Sequence, residues 1–175
     1  MSPSLPQRAD PWQLCAKRRT FVGRLDLGTF ERLAPLLASS GGEAAFTLSF
    51  TLDEKARALV HGRIEAELPV TCQRCLGTLV LSVREDFRLG LVRGAEEAET
   101  LDDELDPLLI EDGQVNPRDI IEDELILAVP ITPRHSTEAC PVRLGRPDVA
   151  EPDPDEEAAS PFAILAALKQ GKDDS

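Results

Sequence analysis

Apolar and polar side chains alternate over most of the chain between residues 46 and 91. One alternating run covers residues 46–52, a second covers 60–70, and a third covers 79–91. A period of two predicts β-strands that each bury one face. Because short turns separate the three runs, we expect an antiparallel meander. Residues 20–27 and 108–110 predict two further short strands.

Helical spacing of apolar residues occurs in three other segments. Residues 29–37 predict a short helix with Phe30, Leu33 and Leu37 on one face. Asn116-Pro117 predicts the start of a second helix, since proline suits the first helical position. Its predicted apolar face consists of Ile120, Ile121, Leu125 and Ala128, and its predicted outward positions are mostly Glu122, Asp123 and Glu124.

The third helical segment lies near the end of the chain, where Ser160-Pro161 resembles a capped helix start. An acidic, proline-rich linker over residues 147–159 precedes it. Such an amphipathic tail, 160–175, either packs on its own core or binds a groove of a partner. The candidates for docking are Phe162, Leu165, Leu168 and Lys169.

These elements predict an α+β fold: a mainly antiparallel sheet with a few short helices, in a single domain over residues 1–146. We expect residues 1–19 to be irregular, with Trp12 and Leu14 anchored on the core. Residues 95–106 contain seven acidic and no basic side chains, which predicts a solvated loop.

Charge restricts the function. The net charge of −13 disfavours a broad nucleic-acid-binding surface. Residues 1–40 are the exception, with six basic and three acidic side chains. Any direct RNA contact is therefore expected to be local, at one end of the sheet, and the candidates are Lys17, Arg18, Arg19 and Arg74. A solvated strand edge is the alternative interpretation of the first three.

Four cysteines in 175 residues do not form a secreted disulfide scaffold. Residues 1–4 lack the features of a signal peptide, and the longest apolar run is too short to span a bilayer. We therefore expect a cytoplasmic protein that does not enter a membrane.

The most informative reactive or metal-binding side chains are the two cysteines of Cys72-Gln73-Arg74-Cys75, at the expected tip of a hairpin. A Cys-x-x-Cys pair can form a disulfide, a redox dithiol or half of a metal site. A redox pair would need a helix after the first cysteine, whereas a strand follows here. His135 and Cys140 have the spacing of a second pair of zinc ligands. A structural zinc on these four residues, plain reduced thiols and redox chemistry all stay open.

The ordered set of motifs resembles the YceD family, the large ribosomal RNA subunit accumulation proteins. The matching segments are Cys72–Cys75, residues 122–130 (EDELILAVP), His135 with Cys140, and residues 160–169 (SPFAILAALK). The resemblance implies a role in the synthesis, processing or stability of large-subunit ribosomal RNA, and hence in ribosome biogenesis. The partner would be that RNA, bound directly or through an assembly or ribosomal protein.

No nucleophile–base pair or phosphate-binding loop is apparent in the sequence, so we expect a non-enzymatic binding or adaptor protein. A thiol–disulfide oxidoreductase using Cys72 and Cys75 is one alternative. A generic protein-interaction module that acts through its acidic surface and tail is the other.

Overall fold

A computed structural model describes residues 5–141. The chain forms one five-stranded sheet whose strands are neighbours in their sequence order. The first four strands are antiparallel, and the fifth pairs with the fourth in parallel. The strands are β1 (Thr20–Asp26), β2 (Glu43–Leu52), β3 (Ala58–Thr71), β4 (Thr78–Val92) and β5 (Asp106–Leu109). The predicted α+β fold with a mainly antiparallel sheet is confirmed.

One face of the sheet is buried, as the alternation predicts. Leu48, Phe50 and Ile64 are fully buried, and the rings of Phe21 and Phe50 meet edge to face at 6.1 Å. The opposite face carries charged and small side chains, such as Arg63 and Glu65 on β3. Since one face is apolar and the other polar, a one-residue slip in register would expose the whole core, and this fixes the strand pairing.

In the described part of the chain, three helices accompany the sheet: α1 (Pro11–Ala16), α2 (Ala95–Glu99) and α3 (Pro117–Ala128). The predicted start of α3 is confirmed, because the Asn116 side chain accepts a hydrogen bond from the Arg118 backbone N–H at 3.2 Å. Ile120, Ile121 and Leu125 of α3 belong to the same buried cluster as the inner face of the sheet.

The prediction of a helix over residues 29–37 was wrong. Two short 3₁₀ turns, Leu27–Thr29 and Ala34–Leu36, stand there instead. Phe30 between them is extended, and Pro35 cannot donate the backbone hydrogen bond that a continuing α-helix needs. Phe30 and Leu33 are nevertheless fully buried, so the apolar positions were correct although the backbone was not.

Residues 1–19 are not all irregular, because α1 occupies Pro11–Ala16. Asp10 caps this helix by accepting a hydrogen bond from the Gln13 backbone N–H at 3.1 Å, and Pro11 takes the first position. Asp-Pro is a helix-start signal that the sequence contained. Trp12 and Leu14 do pack against the core, as predicted.

Two acidic regions also differ from prediction. Residues 95–106 are not simply a solvated loop, since they contain α2 and form ion pairs with several basic side chains. Glu122 was placed on the outer side of α3, yet only 5% of it is exposed. Its carboxylate accepts hydrogen bonds from the backbone N–H groups of Arg32 and Leu33, which explains how a charge can be buried there.

The predicted linker 147–159 and tail 160–175 lie outside the described residues. Within residues 5–141, no helix combines the length and the apolar character needed to cross a lipid bilayer.

Candidate metal centre

The β3–β4 hairpin ends in a tight turn that contains Cys72 and Cys75. The Cys72 backbone N–H donates to the Gly77 carbonyl at 2.9 Å, and the Leu76 N–H donates to the Cys72 carbonyl at 2.9 Å. Leu76 adopts the left-handed region, with φ of 59°. These bonds close the turn over residues 72–77, so that the sulfur atoms of Cys72 and Cys75 can face the same point.

The segment after α3 lies against this turn. The Gln73 backbone N–H donates to the Pro133 carbonyl at 2.8 Å, and this bond fixes the position at which His135 follows. A turn then returns the chain, closed by a 3.1 Å hydrogen bond from the Cys140 N–H to the Ser136 carbonyl. Cys140 is thereby buried at the same place.

The ligand atoms of Cys72, Cys75, His135 and Cys140 all lie within 4.8 Å of one another. Cys75 Sγ is 3.4 Å from His135 Nδ1, and the His135 backbone N–H donates to Cys72 Sγ at 3.4 Å. In a tetrahedral zinc site with Zn–S bonds of about 2.3 Å, neighbouring ligand atoms are about 3.8 Å apart. The four donors are thus close to the separation that a tetrahedral ion requires.

The histidine is oriented by its second ring nitrogen. His135 Nε2 lies 3.1 Å from the Thr78 carbonyl oxygen. That carbonyl can only accept, so the contact selects the tautomer in which Nε2 carries the proton and the Nδ1 lone pair is available to a metal. A carbonyl partner on the far nitrogen is the usual support of a metal-binding histidine, and it aims Nδ1 at the three sulfurs.

The cysteines differ in acidity. Burial raises the pKa of the Cys72 thiol, but hydrogen bonds from the backbone of Cys75, His135 and Arg74 outweigh burial and lower it to about 5. A backbone hydrogen bond from Gly77 lowers the pKa of the Cys75 thiol. Burial and the neighbouring Cys72 and Cys140 thiols together raise this pKa by more, so the net shift is upward. Cys72 is thus the thiol that ionises most easily, and a bound cation would stabilise its thiolate and favour ionisation of the neighbouring thiols.

Accessibility separates metal binding from thiol exchange. Cys72 is fully buried and Cys75 is half-buried, whereas a redox-active thiolate must be reached by a substrate disulfide. Neither Cys72 nor Cys75 begins a helix. Cys15, the remaining cysteine, is buried elsewhere, with its Sγ 3.6 Å from the Leu59 carbonyl.

The four basic candidates do not form one patch. Arg19 immediately precedes β1 and pairs with Phe50, at the end of the sheet where β3 begins. Arg74 lies in the hairpin turn beyond Thr71, where β3 ends. The pairing aligns Thr20 with His61, so about ten residues of β3, or roughly 33 Å, separate the two places. The expectation that they share one end of the sheet was wrong.

Sequence reasoning missed several basic residues near Lys17, Arg18 and Arg19. Lys55, Arg57, Arg88 and Arg93 come to the same end of the sheet, each against an acidic residue of the segment 96–104. These residues lie in the β2–β3 turn, in β4 and directly after β4, so they carry no local signal, and only the strand register brings them together.

Two comparisons with known proteins were informative. The family model described as "Large ribosomal RNA subunit accumulation protein YceD" matches residues 60–169. The chain is also 32% identical over 169 residues to a Haemophilus influenzae protein of that name, an alignment that covers 95% of this chain and 97% of the relative. The chain belongs to the YceD family. No solved structure is significantly similar to it.

The match to the YceD family model begins in β3 and includes all four residues of the metal cluster. It also extends into the predicted tail, as far as residue 169. The candidate metal centre therefore lies inside the matched region. The family name links its members to the accumulation of large ribosomal subunit RNA.

Proposed function

We propose that this protein supports the accumulation of large-subunit ribosomal RNA as a non-enzymatic factor of ribosome assembly, and that one zinc ion stabilises its hairpin tip. The nearly full-length similarity to a protein named for the accumulation of large ribosomal subunit RNA supports the first part. The convergence of three thiols and one oriented imidazole carries the second.

A closed ligand set favours a structural role for the ion. Catalytic zinc sites keep one position for water or substrate, whereas Cys3His sites are filled by protein. Here Cys72 and Cys140 are buried and Cys75 and His135 are half-buried, and a tetrahedral ion held by all four would have no position left for water. The zinc would join residues 133–140 to the β3–β4 hairpin. Few hydrogen bonds otherwise connect these two segments.

The partner is ribosomal RNA itself or a protein of the assembling large subunit, in the cytoplasm. Phe162, Leu165, Leu168 and Lys169 of the tail are the candidates for contacting such a protein. To test this, Leu165→Asp should weaken co-purification with large-subunit precursors while the melting temperature stays unchanged. A clear drop in melting temperature would assign the tail to the protein's own core.

The central experiment is deletion of the gene in its host, followed by measurement of the ratio of large- to small-subunit ribosomal RNA. We expect the ratio to fall, and wild-type protein to restore it. A Cys72→Ser allele should restore it poorly, whereas Cys15→Ser, a matched change of a buried cysteine outside the cluster, should restore it fully. An unchanged ratio in the deletion strain would contradict the proposed role.

A further inference from the structure

One end of the sheet, here called the basic end, collects seven basic side chains from distant parts of the sequence. They come from the residues that follow α1, from the β2–β3 turn, from the second half of β4 and from the residue directly after β4. The seven are Lys17, Arg18, Arg19, Lys55, Arg57, Arg88 and Arg93.

The strand register is what assembles the basic end. The Phe50 N–H donates to the Arg19 carbonyl at 2.9 Å, which aligns the end of α1 with the end of β2. Thr20, Ser49, His61 and Arg88 then form one row across four strands. On the side of α1, the Arg93 guanidinium stacks 4.1 Å from the centre of the Trp12 ring.

An acidic segment, residues 96–104, lies against this basic end. It has six acidic and no basic side chains. Asp102 pairs with Arg57 at 2.6 Å and with Lys55 at 3.5 Å. Three of its carboxylates thus reach cations on separate elements; the other two pairs are Glu104–Arg88 at 3.5 Å and Glu97–Arg93 at 3.9 Å.

The acidic segment is held in place by apolar contacts as well as charge. Leu105 is 7% exposed, and the Leu101 side chain lies on the backbone of Gly90, where an added methyl group would come within 2.9 Å of it. The hydrogen bond and charge of Arg57 lower the pKa of the Asp102 carboxyl despite some desolvation. The contact therefore has defined geometry rather than being a diffuse attraction.

The neutralisation is incomplete. Lys17, Arg18 and Arg19 are exposed, and none of them makes an ion pair within residues 5–141. Two acidic side chains of the β2–β3 turn also lie beside these cations: Asp53 pairs with Arg57 at 2.7 Å, and Glu54 is exposed. Without the segment, the basic end would be a strongly positive surface on an otherwise acidic protein.

We propose that the basic end binds the phosphate backbone of RNA, and that the acidic segment 96–104 occupies this surface in the free protein as a phosphate mimic. This inference rests on the proposed function, which supplies an RNA. Five of the seven cations are arginines, whose planar guanidinium groups suit bidentate contact with phosphate. An acidic protein could use the same charges, and the test separates the two.

Exchange of the segment for RNA is physically reasonable. Ion pairs between exposed side chains contribute little individually and weaken with salt. RNA brings many phosphates at once and gains from the release of its counterions. The acidic segment would consequently lower the affinity of the basic end for any RNA, without preventing binding to a strongly preferred RNA site.

The test uses the full chain with Glu97→Gln, Asp102→Asn and Glu104→Gln combined. Its affinity for a transcript of a large-subunit ribosomal RNA domain is measured by fluorescence anisotropy at several salt concentrations. We expect binding about tenfold tighter than wild type, with a steeper dependence on salt by about two to three released counterions. Adding Arg88→Gln and Arg93→Gln should remove the gain.

The matched control is Glu111→Gln, Asp112→Asn and Glu138→Gln, three exposed acids that make no ion pair in the described part of the chain. It raises the net charge by the same amount at other places. An equal gain in the control would reduce the effect to overall charge and overturn the proposal. The single change Glu104→Gln, at an 83% exposed side chain, should give a smaller gain without risk to folding.

Two further outcomes would also overturn the inference. Unchanged RNA binding by the folded triple variant would show that no phosphate site is masked. Binding of poly-glutamate as tightly as RNA would assign the surface to acidic proteins. If either occurs while gene deletion still lowers large-subunit RNA, the proposed function stands and only this inference fails.

Discussion

The Glu122 carboxylate accepts a hydrogen bond from the backbone N–H of Arg32 at 2.6 Å. It accepts a second from the Leu33 N–H at 3.1 Å and faces the Arg32 guanidinium at 3.4 Å. One buried side chain of α3 thus satisfies the backbone of the loop between β1 and β2. This loop holds Phe30 and Leu33 over the core, so the carboxylate connects helix, loop and core.

Removing this carboxylate should be costly. Glu122→Ala leaves two backbone donors without a partner in a buried place, and we expect a loss of about 2–4 kcal/mol in the free energy of unfolding. Glu122→Gln keeps one acceptor oxygen and should lose less. Urea denaturation followed by Trp12 fluorescence measures both. The neighbouring Asp123→Ala, at a half-exposed pair with Arg32, is the control; an equal loss there would contradict this role of Glu122.

Metal content is the second prediction. Wild-type protein purified under reducing conditions should contain one zinc per chain, and Cys72→Ser should contain much less. Because metal binding contributes to the free energy of folding, a chelator should lower the melting temperature of wild type. Cys15→Ser should keep both the zinc and the chelator effect. Metal-free wild-type protein that melts at the same temperature with and without added zinc would exclude the site.

The histidine offers a sharper form of the same test. His135→Cys supplies a fourth thiolate and should retain zinc, whereas His135→Ala should lose affinity. Cobalt substitution reports the ligand set, since its visible spectrum shifts with the number of sulfur ligands. A cobalt spectrum that is the same in wild type and His135→Cys would mean that the imidazole is not a ligand.

Stability should depend on pH through Glu124. Burial and the nearby carboxylates of Asp106, Asp123 and Glu85 raise its pKa to about 6, from 4.5. The folded state then binds the proton more tightly than the unfolded state, so this group stabilises the fold increasingly as the pH falls from about 6 to 4.5. Above pH 6 the ionised Glu124 carboxylate destabilises the native state relative to the unfolded state.

The measurement is a comparison of wild type with Glu124→Gln over this pH range. The variant should be the more stable protein at pH 7.5, and its advantage should shrink as the pH approaches 4.5. Glu138→Gln, at an exposed position, should show no such trend. A constant difference between wild type and Glu124→Gln at all pH values would refute the assignment.

A close contact inside the sheet gives the last prediction. Gly62 faces Phe87 on the neighbouring strand, and a β-carbon at residue 62 would come within 1.9 Å of the ring. Because Phe87 is 8% exposed and has little room to move, Gly62→Ala should cost about 1–3 kcal/mol. In a Phe87→Leu background the same change should cost clearly less. Additive effects in the double variant would show that the ring is not the obstacle.

The sequence determined the strands and their buried faces, because a period of two in hydrophobicity is a local property. β2, β3 and β4 follow directly from it, as does the position of Cys72 and Cys75 at a hairpin tip. The start of α3 was likewise encoded in Asn116-Pro117. Proline within residues 29–37 was also a local signal, and its neglect led to the wrong helix.

Tertiary structure decided what depends on contacts between distant residues. Spacing suggested that His135 and Cys140 complete a ligand set, but the bond between Gln73 and Pro133 is what brings them to the hairpin. Glu122 lies inward because its partners are backbone groups of another segment, which no helical periodicity encodes. The basic end exists only through the strand register, since that register brings Arg19 and Arg88 to the same end of the sheet, where Arg88 meets Glu104 of the acidic segment.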